Sequence, residues 1–255
     1  MKYCSKLHEN PDDAIFCNEC SERLTRVTNT NHICPKCGVS NPTDAKYCNE
    51  CGYQLSNNIL GHDYVDLGLR VKWATCNIGA EVPTEHGDYF AWGETITKSH
   101  FCKNNCETYI EENTILKLFC NNNSLKKKIT TDIKGDPTFD VATSHWGKPW
   151  RMPSKEEFEE LISHCKWEWI IIGKTYGYRI TAANNNHIFL PAAGAFVDNN
   201  LCFSNSQCFY WSSTPKRNSL SNSYFLSTGS DKYEIHSWSR YIGRSIRAVY
   251  DDNLF

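Results

Sequence analysis

The strongest constraint on this chain is a repeat of cysteines at its start. Residues 4–24 read CSKLHENPDDAIFCNECSERL, and residues 34–55 read CPKCGVSNPTDAKYCNECGYQL. They are two copies of one unit, the second longer by one residue. The second copy supplies Cys34-x2-Cys37 and Cys48-x2-Cys51, two tight pairs that can place four thiolates around one tetrahedral Zn2+. A unit of about 22 residues cannot bury a core large enough to fold alone. Metal binding would supply most of its folding free energy.

The first copy departs from this pattern. Leu7 stands where the second copy has Cys37, and His8 follows where it has Gly38. Cys4, Cys17 and Cys20 remain, and His8 is the candidate fourth ligand of a Cys3His site. The alternative is a half-ribbon that packs on its neighbour without metal. The expectation is one Zn2+ in the second copy and another in the first.

Of the fourteen cysteines, the other seven (Cys76, Cys102, Cys106, Cys120, Cys165, Cys202 and Cys208) are scattered. The start, Met1-Lys2-Tyr3-Cys4, has no apolar leader core, and no run approaches membrane-spanning length. Cysteine clusters in metal spacing fit a compartment where thiols stay reduced, so the expected location is cytoplasmic. Lys+Arg (27) nearly balance Asp+Glu (29), which gives no strong field toward nucleic acid or membranes. The first 60 residues hold Lys2, Lys6, Arg23, Arg26, Lys36 and Lys46 against seven acidic side chains. Phosphate binding needs a net basic face, so protein contact or a structural role is favoured over nucleic acid. Ser56-Asn57-Asn58 reads as a short polar hinge.

Beyond the hinge, the most secure element is the helix Ser154 to Cys165. Ser154 and Glu157 have capping-box spacing, and Pro153 lies just outside, where a missing N–H costs nothing. Phe158, Leu161, Ile162 and Cys165 form one apolar stripe, with Glu156, Glu159 and Glu160 pointing away. Strands are expected in the hairpin Tyr64 to Trp73, at Gly87 to Glu94, at Trp167 to Ile172, and in the pair Gly177–Thr181 and His187–Pro191 joined through Asn184-Asn185-Asn186. Others are expected at Tyr210 to Thr214, Ser223 to Ser227, Tyr233 to Trp238 and Gly243 to Val249, the last closing the domain against the first. The small side chains of Ala192 to Ala195 allow close backbone approach. Residues 98–145 are poorly patterned and read as a surface insertion, with a short helix from Thr114 to Phe119 and a solvated face at Lys126-Lys127-Lys128. A metal site from His100, Cys102, Cys106 and Cys120 is disfavoured, because Cys102-x3-Cys106 is looser than a knuckle.

Residues 1–56, with CxxC and CNEC-G written out in the second copy, resemble the double zinc ribbon family. The resemblance implies zinc, and in bacteria often an adaptor at the start of a multi-domain chain. The phrases DLGL..KWATCNIGA, GDYFAWGE, WRMPSKEEFEELI, IFLPAAG, YWSST and G.SIRAV look like the Fibrobacter succinogenes major paralogous domain, in that family's order. That resemblance implies a C-type-lectin-like fold of the formylglycine-generating-enzyme subtype. The expected architecture is α+β: two small zinc ribbons, then a lectin-like domain with a small antiparallel sheet, about two helices and long loops. The boundaries are 1–26 and 32–56 for the ribbons and 60–252 for the large domain.

For function, the stretch from Trp211 to Tyr241 is dense in Ser, Asn, Tyr, Trp, His and Arg, which suit an adaptable contact surface. The expected ligand contacts are Tyr224, Tyr233, His236, Trp238, Arg240 and Tyr241, and the expected partner is a protein. Proteins on this fold carry ligand-contacting loops near the C-terminal end, and some relatives are diversified there by retroelements, as the resemblance implies. A calcium lectin would need a Glu-Pro-Asn or Gln-Pro-Asp loop and a Trp-Asn-Asp triplet, and neither occurs. The formylglycine-generating relatives use a cysteine pair near the end of the domain. Here Cys202 and Cys208 are last and have no evident paired base, and no hydrolase elbow, phosphate loop or HExxH motif is present. The expectation is a non-catalytic recognition protein; a nucleic-acid factor and a formylglycine-generating-type enzyme are the alternatives. Trp73, Trp92, Trp146, Trp150, Trp211 and Arg247 are expected to be scaffold.

Overall fold

The structure is a computed structural model and describes residues 2–3, 9–10, 32–33, 37, 39–41, 49–51, 57–111, 126–229 and 232–251. The chain divides into two compact units, Met1–Asn57 and Asn58–Phe255.

In the first unit, β1 (Lys2–Tyr3) pairs antiparallel with β2 (Glu9–Asn10), and β3 (His32–Ile33) with β4 (Ser40–Asn41). Each copy of the repeat therefore has a short hairpin whose first strand ends just before its first cysteine, Cys4 or Cys34. The extra residue of the second copy falls between the two strands of its hairpin. Asn41 is buried; its Nδ2 donates to the Val39 carbonyl, and its Oδ1 accepts from the Asn49 amide at 2.9 Å. One side chain thus ties β4 to the turn Asn49–Cys51.

The second unit begins with β5 (Asn58–Ile59), β6 (His62–Val65) and β7 (Lys72–Asn77). There follow α1 (Val141–Trp146), β8 (Trp150–Arg151) and α2 (Lys155–His164). Then come β9 (Lys166–Ile172), β10 (Thr175–Thr181), β11 (His187–Pro191), β12 (Ala195–Val197) and β13 (Asn200–Cys202). The chain finishes with β14 (Cys208–Pro215), β15 (Asn222–Thr228), β16 (Tyr233–Ser239) and β17 (Arg247–Tyr250). The strands form sheets in the orders β5-β6-β7-β17-β8, β11-β10-β9, β12-β13 and β14-β15-β16, all antiparallel. Among the described residues this unit is mostly β with two helices. The last strand inserts between β7 and β8, with Val249 opposite both Trp73 and Arg151.

Helix α2 starts where its capping signal predicts. The Ser154 hydroxyl accepts from the Glu157 amide, and the Glu157 carboxylate accepts from the Ser154 amide at 2.8 Å. Glu157 also takes a two-pronged grip from Arg151 on β8, at 2.6 and 2.8 Å, and Arg151 reaches Asp251 at 2.8 Å. Burial works against the charge on Arg151, yet Glu157 and Asp251 hold its guanidinium above its ordinary range. Phe158 and Leu161 are buried against Trp73, Tyr178 and Leu226, with Ile162 and Cys165 at the margin. A second cluster gathers Phe90, Trp92, Trp150 and Trp211. Trp73, Trp92, Trp150, Trp211 and Arg247 are all fully buried, and Trp146 packs edge-on to Trp150. At Gly194, a left-handed residue in the small-residue run, a Cβ would collide with the Cys202 carbonyl oxygen.

Three local expectations are corrected. Residues 87–94 are not a strand: Phe90 alone bridges Arg244, and the Trp92 amide already bonds to the Arg240 carbonyl, so regular pairing does not continue. The segment 98–145 is not a surface insertion in its described parts. Phe101, Cys106, Thr108, Tyr109, Ile129 and Ile133 are buried, sparse anchors set among polar residues. The helix that precedes α2 is α1, capped by Asp140, whereas the stretch Thr114–Phe119 lies outside the described residues. Lys126 is half-buried and donates to the Lys103, Asn104 and Cys106 carbonyls, so it closes a loop and is not part of a solvated face.

Replacing Glu157 by Ala removes a cap acceptor and strips a buried guanidinium of its main partner. The expected loss is about 3–5 kcal/mol in urea unfolding. Glu159→Ala, which breaks only the exposed pair with Lys155, stays within about 0.5 kcal/mol of the parent. Equal effects of the two would refute the role given to Glu157.

Candidate functional site

Of the proposed zinc ligands, Cys37 and Cys51 are described: Cys37 is exposed in a turn, and Cys51 is half-buried at the end of the turn that Asn41 holds. Cys4, His8, Cys17, Cys20, Cys34 and Cys48 lie outside the described residues. The donor set fits zinc chemically, since four thiolates, or three with one imidazole, make a closed structural site.

The other candidate residues lie on or beside the sheet β14-β15-β16. β15 and β16 pair in continuous register from Asn222↔Ser239 to Thr228↔Tyr233, and β14 pairs with β15 regularly from Cys208 to Trp211 before its register shifts, so over these residues side chains alternate between two faces. One face carries Cys208, Tyr210, Leu226 and Ile235 and packs with Phe158 and Leu161 of α2. The other carries Phe209, Trp211 and Phe225, and on the edge strand Glu234, His236 and Trp238.

The six expected contacts therefore do not form one surface. His236 and Trp238 share the second face: Trp238 is 60% exposed, and His236 is exposed beside Phe225 with ring centroids 6.1 Å apart. His236 Nε2 and Glu234 are 2.9 Å apart. Tyr233 and Tyr224 are on the helix-covered face. Tyr233 stacks on Trp167 at 4.7 Å, and Lys155 Nζ sits 5.4 Å over the Tyr224 ring. Tyr241 is half-buried, edge-on to Tyr109. Arg240 is corrected outright. It is fully buried and donates to the carbonyls of Asn222, Thr108, Ile129 and Ser219 and to the Ser223 hydroxyl, so it holds loops together and presents nothing to a ligand.

Arg240 is the first of three buried arginines in the closing segment. Arg247 donates to Asn77 Oδ1 and to the carbonyls of Ala74, Thr75 and Phe189, at 2.9–3.0 Å. Arg244 is different. Its guanidinium lies 3.7 Å from the centroid of Phe225, 4.1 Å from Trp211 and 5.9 Å from Phe209, but Nε and Nη1 have no hydrogen-bond partner. Burial pulls its guanidinium well below the ordinary arginine range. Sequence reasoning passed over Arg244, taking 243–249 as an alternating strand in which only Arg247 stood out. The signal was present: Arg244 stands one residue from Gly243 and two from Ile246, where a solvated arginine has little reason to be.

Two of the scattered thiols, Cys106 and Cys208, are buried. Cys208 is sealed in the core, donates to the Leu190 carbonyl, and burial pushes its thiol up to about 12. Cys202 is half-buried on β13, and Cys106 is buried, its thiol pushed up to about 11. A cavity of about 320 Å3 has His62, Asp63, Cys76 and Glu81 spread around its lining. There His62 stacks on Trp146 at 3.8 Å and Cys76 donates to the Glu81 carbonyl. Among the described residues no three metal-ligating side chains cluster, and no helix is long and apolar enough to cross a membrane.

The double zinc ribbon family model matches residues 3–56. The family implies zinc binding, with a structural, protein-binding or nucleic-acid-binding role. No curated protein compared with the chain matches it, and no solved structure does.

Protein purified under reducing conditions is expected to carry two Zn2+ per chain by elemental analysis, falling to one in His8→Ala. One Zn2+ in the parent protein would assign the metal to the second copy alone.

Proposed function

We propose that this chain is a non-catalytic, zinc-binding recognition protein. The ribbons at 1–26 and 32–56 act as a structural or tethering module. Residues 60–252 are read as a lectin-like domain of the major-paralogous-domain kind that binds a protein partner through its C-terminal strands and loops. The observation that carries this reading is Trp238, an indole left 60% exposed beside His236 on an edge strand. Exposed Trp with adaptable polar neighbours is the usual composition of a binding hot spot. An open edge strand also offers backbone groups to a partner. The near balance of charge in the first 60 residues favours protein over nucleic acid. Cysteine pairs in metal-ligand spacing favour a reducing compartment, and we read it as the cytoplasm.

The test is Trp238→Ala combined with His236→Ala. Both side chains are exposed, so the melting temperature is expected to stay within a few degrees, while partner affinity falls by about 2 kcal/mol or more. Unchanged partner affinity in the double variant would refute this face.

A further inference from the structure

We propose that Arg244 is the docking point for a carboxylate on that partner, an Asp or Glu side chain set among apolar residues. The inference rests on the recognition reading above and names the chemistry of the face that Trp238 and His236 border.

The argument begins with what the aromatic rings do not supply. Phe225, Trp211 and Phe209 enclose the guanidinium from steeply inclined directions, with 78° between the Trp211 and Phe225 planes and 62° between those of Phe209 and Phe225, and cation–π attraction favours this. A ring face can attract the cation and face an N–H group, but it supplies no oxygen lone pair to the guanidinium donors. Nε and Nη1 are buried without a partner, and Arg244 as a whole is only 4% exposed. The described residues give it no ion pair either. A buried charge without an in-plane acceptor is strongly penalised. Among the described residues the three other buried arginines avoid that penalty: Arg151 with carboxylates, Arg240 with carbonyls and a hydroxyl, Arg247 with carbonyls and an amide oxygen. Of the three guanidinium nitrogens of Arg244, Nη2 is left to reach solvent. An acceptor would meet Nη2 first and would reach Nε or Nη1 as its second prong only as the bordering side chains shift, since both are closed to solvent.

The missing acceptor fits a carboxylate better than a phosphate. A single fork matches one planar monoanion. The face has no lysine to help carry a second charge, and Glu234, bound to His236, would repel a dianion. Around the fork the surface is apolar: Phe203, 57% exposed, meets Phe209 edge-on, and Trp238 lies at the other end. These rings suit the apolar flanks of an acidic peptide.

The test needs no partner. The full-length protein, labelled with 15N, is titrated with phenylacetate, with its neutral amide and with inorganic phosphate, following the indole N–H signals of Trp211 and Trp238. Phenylacetate is expected to bind saturably, and the amide and phosphate at least tenfold more weakly. Arg244→Met should lose phenylacetate binding while keeping its melting temperature. Arg244→Lys, which keeps the charge but not the fork, should bind at least tenfold more weakly and decides the matter if the methionine variant does not fold. Equal binding of the amide, tighter binding of phosphate, absence of phenylacetate binding, or full binding by either variant would overturn the proposal. The recognition reading would survive such a failure, because it stands or falls on Trp238 and His236.

Discussion

The second unit depends on how its closing segment buries positive charge. Arg247 enters the sheet on β17 between β7 and β8, and its guanidinium collects acceptors from β7 and from β11. Strand pairing alone would hold β17 to its neighbours. Of its four side-chain bonds, three go to β7 and the fourth, to the Phe189 carbonyl, adds a link to the sheet formed by β9, β10 and β11. Arg240 acts in the same way one turn of chain earlier, joining 108 and 129 to 219 and 222. Loops rich in carbonyls and poor in regular pairing need such donors, because unpaired buried carbonyls are costly. Five donors on one planar group satisfy several at once.

The same segment supplies the functional contrast. Between two arginines saturated with acceptors stands one held only by aromatic faces. That arrangement places an unmet donor beside the one edge strand with a large exposed indole. In the ribbon unit the division of labour differs. There the thiolates are expected to replace the core that so short a repeat lacks, and the match to the double zinc ribbon family over 3–56 supports it.

Much of the fold was legible where the signals are local. Ser154 and Glu157 announced α2, and runs of aromatic and β-branched residues bounded by turn residues announced β9 to β11 and β14 to β16. The anchors in 98–145 were not legible. Thr108 and Ile129 are buried and bond through their carbonyls to Arg240, more than a hundred residues away, and no local period marks them. The candidate site was half legible. Trp238 and His236 are two apart and share a face, while Tyr233 and Tyr224 fall on the other by the same rule of two. Arg240 misled because residue type alone cannot tell a solvated guanidinium from one that satisfies five buried acceptors.

The central claim is that buried guanidinium bonds lock the last strand into the domain. Arg247→Met, measured by urea unfolding of the full chain, tests it most directly. A loss of about 3–5 kcal/mol is predicted, since the volume is kept while buried carbonyls lose their donor. A loss under about 1 kcal/mol would contradict it.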